Sequence, residues 1–103
     1  MILVRMVFQA KSGKAQAVVE EFKQSADVMR KIVGPNTRAR ILTDLSGPFD
    51  TVVQELEVES LAEWERLRTA IFSDPEFQQR QTGDRPFKSG STEFYTIEAT
   101  FES

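Results

Sequence analysis

Trp64 is the only indole and Tyr95 the only phenol in a sequence that contains neither histidine nor cysteine. Those two absences close off most side-chain chemistry at neutral pH. Without them, one chain builds no Ser-His-Asp relay, no thiolate nucleophile, no disulfide, no cysteine–histidine zinc site and no haem held by an axial histidine. A general acid or base must then be Asp, Glu, Lys or Tyr, whose ordinary pKa values lie far from neutrality and need burial or a charged neighbour to move them. What remains suited to a site is aromatic surface with a few polar handles. Trp64, Phe72, Phe77 and Tyr95 offer walls for a flat organic ligand, and Arg85 with Lys88 offers cations in a loop that meet an anionic group. The competing expectation is plain packing, which is the commoner fate of an aromatic on the apolar stripe of a helix. For Tyr95 it is a hydroxyl that only bonds a backbone carbonyl.

A second set of chemistry-bearing residues is Arg5, Arg40, Glu55 and Glu98, which the alternation of their segments puts on one side of a sheet. They read either as a catalytic carboxylate held beside an arginine or as an ionic network. The balance of two positive against two negative charges favours the network, because charges on a self-packing face need partners in any case.

The elements that must position these residues follow from periodicity. Residues 2–9 alternate, with Ile2, Val4, Met6 and Phe8 opposed to Leu3, Arg5, Val7 and Gln9, as in a strand with one strongly apolar face. After the turn residues Lys11-Ser12-Gly13-Lys14, apolar positions recur at helical spacing from Ala15 through Val18, Val19, Phe22, Ala26, Met29, Ile32 and Val33, up to the Gly34-Pro35 stop. Alternation returns over Arg38 to Leu45 and over Thr51 to Val58, separated by Ser46-Gly47-Pro48-Phe49-Asp50, so these two strands are expected to pair as a hairpin. Ser60-Leu61-Ala62-Glu63 is a capping box that opens a second helix with Leu61, Trp64, Leu67 and Ile71 as its buried stripe. Asp74-Pro75-Glu76 starts a further helical turn. The breaker-rich segment from Gln81 to Gly90 reads as a loop, and Thr92 to Phe101 as a last strand with Tyr95, Ile97, Ala99 and Phe101 on one side.

The order is β-α-β-β-α-β in a single domain spanning residues 1–103, of the α+β class: a ferredoxin-like, four-stranded antiparallel sheet with its helices on one face. The other face combines Leu3, Val7, Leu42, Val53 and Phe94 with Arg5, Arg40, Asp44, Glu55 and Glu98, which is too apolar to leave wholly wet. Covering it with the sheet of a second copy predicts a homodimer of the dimeric α+β barrel kind.

From Thr51 to Phe77 the chain reads TVVQELEVESLAEWERLRTAIFSDPEF: a strand, an acidic residue and serine, a helix carrying Glu and Arg, then Asp-Pro-Glu and an aromatic. This segment resembles the third strand and second helix of NIPSNAP-type domains, and Gly13-Lys14 between the first strand and helix fits the same pattern more loosely. The resemblance covers about a quarter of the chain in motif and the rest in topology. It implies a homodimer whose two sheets form a barrel, with a small cleft between sheet and helices in each subunit. The same superfamily includes antibiotic-biosynthesis-type monooxygenases and haem-degrading enzymes. The haem-degrading branch relies on a histidine that this chain lacks, and the resemblance delivers no catalytic residue.

The net charge of −3 and the interleaving of acidic with basic residues argue against nucleic-acid or anionic-membrane partners. No run of 18 apolar residues occurs, and MILVRMVFQ is interrupted too early for a signal segment, so a cytoplasmic protein is expected. Two functional readings result. One is a homodimer that binds a small apolar or aromatic molecule, or a protein partner, with no cofactor and no metal. The other is a cofactor-free monooxygenase or isomerase in which Tyr95 or a buried carboxylate moves protons. A carboxyl or phenol inside a closed apolar pocket favours the second, and a filled core with no cavity favours the first, as a non-catalytic scaffold.

Overall fold

The computed structural model describes residues 1–33, 37–80 and 83–102. Its elements run β1 Ile2–Ala10, α1 Ala15–Met29, β2 Arg38–Thr43, β3 Thr51–Val58, α2 Leu61–Phe72, α3 Pro75–Arg80 and β4 Phe87–Thr96. The four strands form one antiparallel sheet in the order β2-β3-β1-β4, with the helices on one face, as the β-α-β-β-α-β reading requires.

Residues paired across antiparallel strands share a face, so the register sorts every strand side chain. Val4, Met6 and Phe8 stand opposite Leu56, Gln54 and Val52 on one side and Phe94, Thr92 and Gly90 on the other; these face the helices. Leu3, Arg5 and Val7 stand opposite Glu57, Glu55 and Val53 and, across β4, Tyr95, Glu93 and Ser91; these form the open face. The core under the helices comes in two pieces. One gathers Val4, Met29, Leu56, Val58, Trp64 and Leu67. The other gathers Ala10, Val18, Val19, Phe22 and Val52. Each fully buried Val or Leu contributes about 1.5–3 kcal/mol of transfer free energy.

Local chemistry sets the helix ends. Ser60 caps α2: the Glu63 backbone N–H donates to its Oγ at 3.1 Å. The reciprocal half of the capping box is not made, because the Glu63 carboxylate instead accepts from Arg66 Nε at 3.0 Å and Nη2 at 2.5 Å. Arg66 Nη2 also donates to the Ile32 carbonyl at 2.9 Å, tying α2 to the chain beyond α1. Asp74 Oδ1 accepts from the Phe77 N–H at 3.1 Å and caps α3.

Several expectations need correction. Helix α1 ends at Met29, and Ile32 and Val33 continue as a tightened turn whose amides donate to the Met29 carbonyl while their side chains still pack on the core. The Gly34-Pro35 stop lies outside the described residues, as do Gln81 and Thr82 of the expected loop. Strand β2 stops at Thr43, since Asp44 is recruited to the turn: its N–H donates to the Thr51 carbonyl and its Oδ1 accepts from the Thr51 N–H at 2.9 Å. Leu45 is therefore fully exposed. Leu61, expected in the stripe of α2, is exposed at the first helical position.

The largest correction concerns β4, which begins at Phe87 rather than Thr92 and ends at Thr96. Ala99 and Phe101 lie beyond it, with Phe101 exposed. Glu98 lies beyond it too, so Glu93 takes the place in the charged network that Glu98 was expected to hold. The same register places Tyr95 on the open face and Phe94 on the helix face, the reverse of the sequence reading. The reason is chemical. At that end the Phe94 ring packs edge-on against Trp64 at 6.2 Å on the helix face, whereas on the open face Tyr95 Oη donates to Glu93.

Candidate functional site

Between the two core pieces the helices do not close onto the sheet. They leave a cavity of about 290 Å³. Its floor is the helix-facing side of the sheet, with Met6 and Phe8 from β1, Gln54 and Leu56 from β3, and Phe87 and Thr92 from β4. Its roof is Glu21, Phe22, Ser25 and Met29 of α1, with Trp64, Arg68, Ile71 and Phe72 of α2, Phe77 of α3 and Arg85 of the loop before β4.

Aromatic rings frame both ends. Phe8 meets Phe22 edge-on at 4.8 Å and Phe87 at 5.1 Å, while Phe72 and Phe77 make a T-shaped pair at 5.4 Å. Gly90 belongs to this frame although it lines nothing: a Cβ there would lie 2.8 Å from the Phe8 ring, so only glycine lets the ring lie over β4.

The polar groups at the cavity are few. Glu21 and Arg85 form an ion pair with side-chain exposures of 16% and 22%, and the Arg85 guanidinium also stacks over Phe87 at 4.8 Å. Ser25 Oγ donates to the Glu21 carbonyl at 3.1 Å. Arg68 sits at the rim, over the half-exposed Phe72 ring at 5.5 Å. Gln54 is buried, and its side-chain amide makes no hydrogen bond among the described residues.

Of the residues singled out from sequence, the structure brings Trp64, Phe72, Phe77 and Arg85 to this one cavity. Tyr95 is on the opposite side of the sheet, and Lys88 is exposed on β4 away from the lining. Arg85 also differs from expectation, being engaged by Glu21 rather than held open for an anion. Sequence reasoning missed Gln54, Glu21 and Ser25. Gln54 had a readable signal as the one polar residue on the face shared by Val52, Leu56 and Val58.

On the open face a charged ladder crosses the sheet within one chain. Arg40 Nε donates to Glu55 Oε1 at 2.6 Å, Arg5 Nε lies 3.5 Å from Glu55 Oε2, Arg5 Nη1 reaches Glu93 at 3.5 Å, and Glu93 accepts from Tyr95. The hydrogen bond to the Glu93 carboxylate, with some desolvation and the nearby negative charge, raises the Tyr95 phenol above its ordinary value, against the pull of Arg5. Among the described residues no cluster of three or more Asp or Glu is placed to hold a metal ion. None of their helices is long and apolar enough to cross a membrane.

No protein-family model matches the sequence, and no curated protein matches it. Solved structures do. An uncharacterised NIPSNAP domain protein from Burkholderia xenovorans superposes on 100% of both chains with a TM-score of 0.80 at 16% identity. The chain has the NIPSNAP-type fold. A second NIPSNAP-like domain protein from the same organism agrees over 96% of this chain and 87% of its own, with a TM-score of 0.78 at 17% identity. A mutant of MhuD with two manganese protoporphyrin IX molecules bound per active site shares the same architecture over 100% of both chains, with a TM-score of 0.78 at 9% identity. At these identities the likeness establishes the NIPSNAP-type fold, and the chemistry rests on the cavity itself.

Proposed function

We propose that this protein is a homodimeric binding protein that holds a small, flat, largely apolar molecule in the cavity between sheet and helices. The observation that carries the reading is the cavity: a partly open cleft of about 290 Å³, lined mostly by apolar and aromatic side chains, lies between the two core pieces. That volume is at the small end of ligand pockets and suits one or two fused rings. Trp64, Phe72, Phe77, Phe8 and Phe22 supply broad apolar contact there. The MhuD mutant of the same architecture holds two manganese protoporphyrin IX molecules per active site, which supports a flat ligand here of smaller size.

The homodimer rests on the open face. Leu3, Val7, Leu42 and Tyr95 share it with the Arg40–Glu55–Arg5–Glu93 ladder, whose charges are already balanced within the chain, so a second copy meets a mixed but neutralised surface. An acidic chain without cysteine suits a cytoplasmic setting. The cofactor-free enzyme is the weaker reading, because its phenol lies across the sheet and the carboxylate at the cavity, Glu21, is committed to Arg85.

A thermal-shift screen of one- and two-ring aromatics tests the cavity, with Thr92→Phe as the control that fills it. Compounds that stabilise the wild type are expected to lose their effect in Thr92→Phe. Stabilisation that survives the filling places the binding elsewhere. Light scattering at micromolar concentration is expected to give twice the 11.7 kDa chain mass, and a monomer rejects the paired-sheet reading.

A further inference from the structure

Gln54 sits in the middle of β3, opposite Met6 of β1 and Ile41 of β2, with only 8% of its surface exposed. Val52 and Leu56 flank it on the same face. A primary amide brings two donors and an acceptor, and burying it without partners is unfavourable, so nearly all such groups in folded proteins are hydrogen-bonded. Gln54 has no such bond among the described residues; it lines the cavity, and its amide is reached through that cavity rather than sealed within the core. Most of the other polar groups there are engaged or wet. Ser25 donates to the Glu21 carbonyl, Glu21 pairs with Arg85, Arg68 lies at the rim within 3.8 Å of Glu65, and Thr92 is on an exposed strand.

The electrostatics narrow the occupant further. Glu21 and Arg85 cancel each other's charge, and a carboxylate entering beside them would face the Glu21 carboxylate as well as the arginine. We propose, resting on the cavity reading above, that Gln54 is the specificity-determining residue of this site. Its amide bonds the hydroxyl or carbonyl of a neutral aromatic molecule, and the Glu21–Arg85 pair disfavours anionic analogues. The occupant is then a phenol-like or conjugated ketone-like compound, not an aromatic acid.

Equilibrium dialysis of the full chain against naphthalene, 2-naphthol and 2-naphthoate at neutral pH tests this. Shape is held nearly constant while the polar group changes. On hydrophobicity alone naphthalene would bind best. The proposal instead expects 2-naphthol to bind about 10-fold more tightly than naphthalene, the worth of one well-made hydrogen bond to a buried group, and 2-naphthoate to bind more weakly than 2-naphthol. Gln54→Leu should bring 2-naphthol down to the level of naphthalene and leave naphthalene unchanged or tighter. Gln54→Met, which keeps the length and flexibility of the side chain, should do the same, and retained naphthalene binding certifies that the cavity of either variant is intact. Equal binding of naphthalene and 2-naphthol by the wild type, or 2-naphthoate binding best, overturns the role of Gln54 while leaving the cavity as a binding site. If none of the three binds, the cavity reading itself falls and this inference with it.

Discussion

Replacing Gly90 by alanine tests whether the cavity frame is built as described. Gly90 is paired with Phe8 across β4 and β1, and a Cβ added there would lie 2.8 Å from two carbons of the Phe8 ring. That is well inside van der Waals contact, so the ring must move. Phe22 at 4.8 Å and Phe87 at 5.1 Å hold it edge-on, and the free direction is into the cavity that Phe8 lines. Forcing an extra methyl into packed surroundings costs about 1–3 kcal/mol. Alanine recovers roughly 0.5–1 kcal/mol of the entropy that glycine loses in a strand. The net expectation is a destabilisation of up to about 2.5 kcal/mol, which for a domain of this size corresponds to a Tm lower by as much as several degrees. Urea denaturation at fixed protein concentration, followed by the fluorescence of the single Trp64, measures it. The same substitution in a Phe8→Leu background should be neutral or stabilising, because the clash is gone and the entropy gain remains. A raised midpoint for Gly90→Ala alone, as large as in the Phe8→Leu background, would mean that the Phe8 ring does not lie over Gly90, and the frame around the cavity would be wrong.

Ser60→Ala should cost ~1 kcal/mol, since the Glu63 amide loses its acceptor at 3.1 Å, and denaturant midpoints report it. Ultraviolet titration of the sole tyrosine should place Tyr95 ionisation above the ordinary phenol range, and Glu93→Gln should lower it. The sign for stability follows: a folded-state pKa raised above the unfolded one contributes stability in full below the ordinary phenol pKa, and that contribution disappears as pH rises through the folded value. A wild-type titration identical to that of Glu93→Gln would remove the contact between Tyr95 and Glu93.

The parts of the fold that were legible in the sequence are those where one face is apolar throughout. β1 and β3 are central strands with clean alternation, and α2 opens on a serine whose hydroxyl caps it. β4 was harder to read for the opposite reason. It is an edge strand, so its first residues, Phe87-Lys88-Ser89-Gly90-Ser91, are allowed to be polar and breaker-rich, and the glycine that looked like a loop is required by the Phe8 ring above it. Phe94 and Tyr95 are adjacent aromatics, and alternation alone does not say which faces the helices; a one-residue choice flips the whole strand. In the fold Phe94 pairs with Val4 and packs edge-on against Trp64, which leaves Tyr95 on the open face. Trp64, Phe72 and Phe77 converge on the cavity because helical spacing is local, whereas the pairing of Arg85 with Glu21 joins residues 64 apart and has no local signature.

The methionines report directly on whether a small aromatic molecule occupies the cavity. The chain has three, of which Met6 and Met29 line the cavity while Met1 is half-exposed and outside it. In a methyl-labelled NMR titration with 2-naphthol, ring currents from a bound ligand should shift the Met6 and Met29 methyl signals in a saturable manner and leave Met1 in place. If Met6 and Met29 stay fixed at ligand concentrations that saturate binding, or Met1 alone responds, the ligand is not in the cavity and the central claim is contradicted.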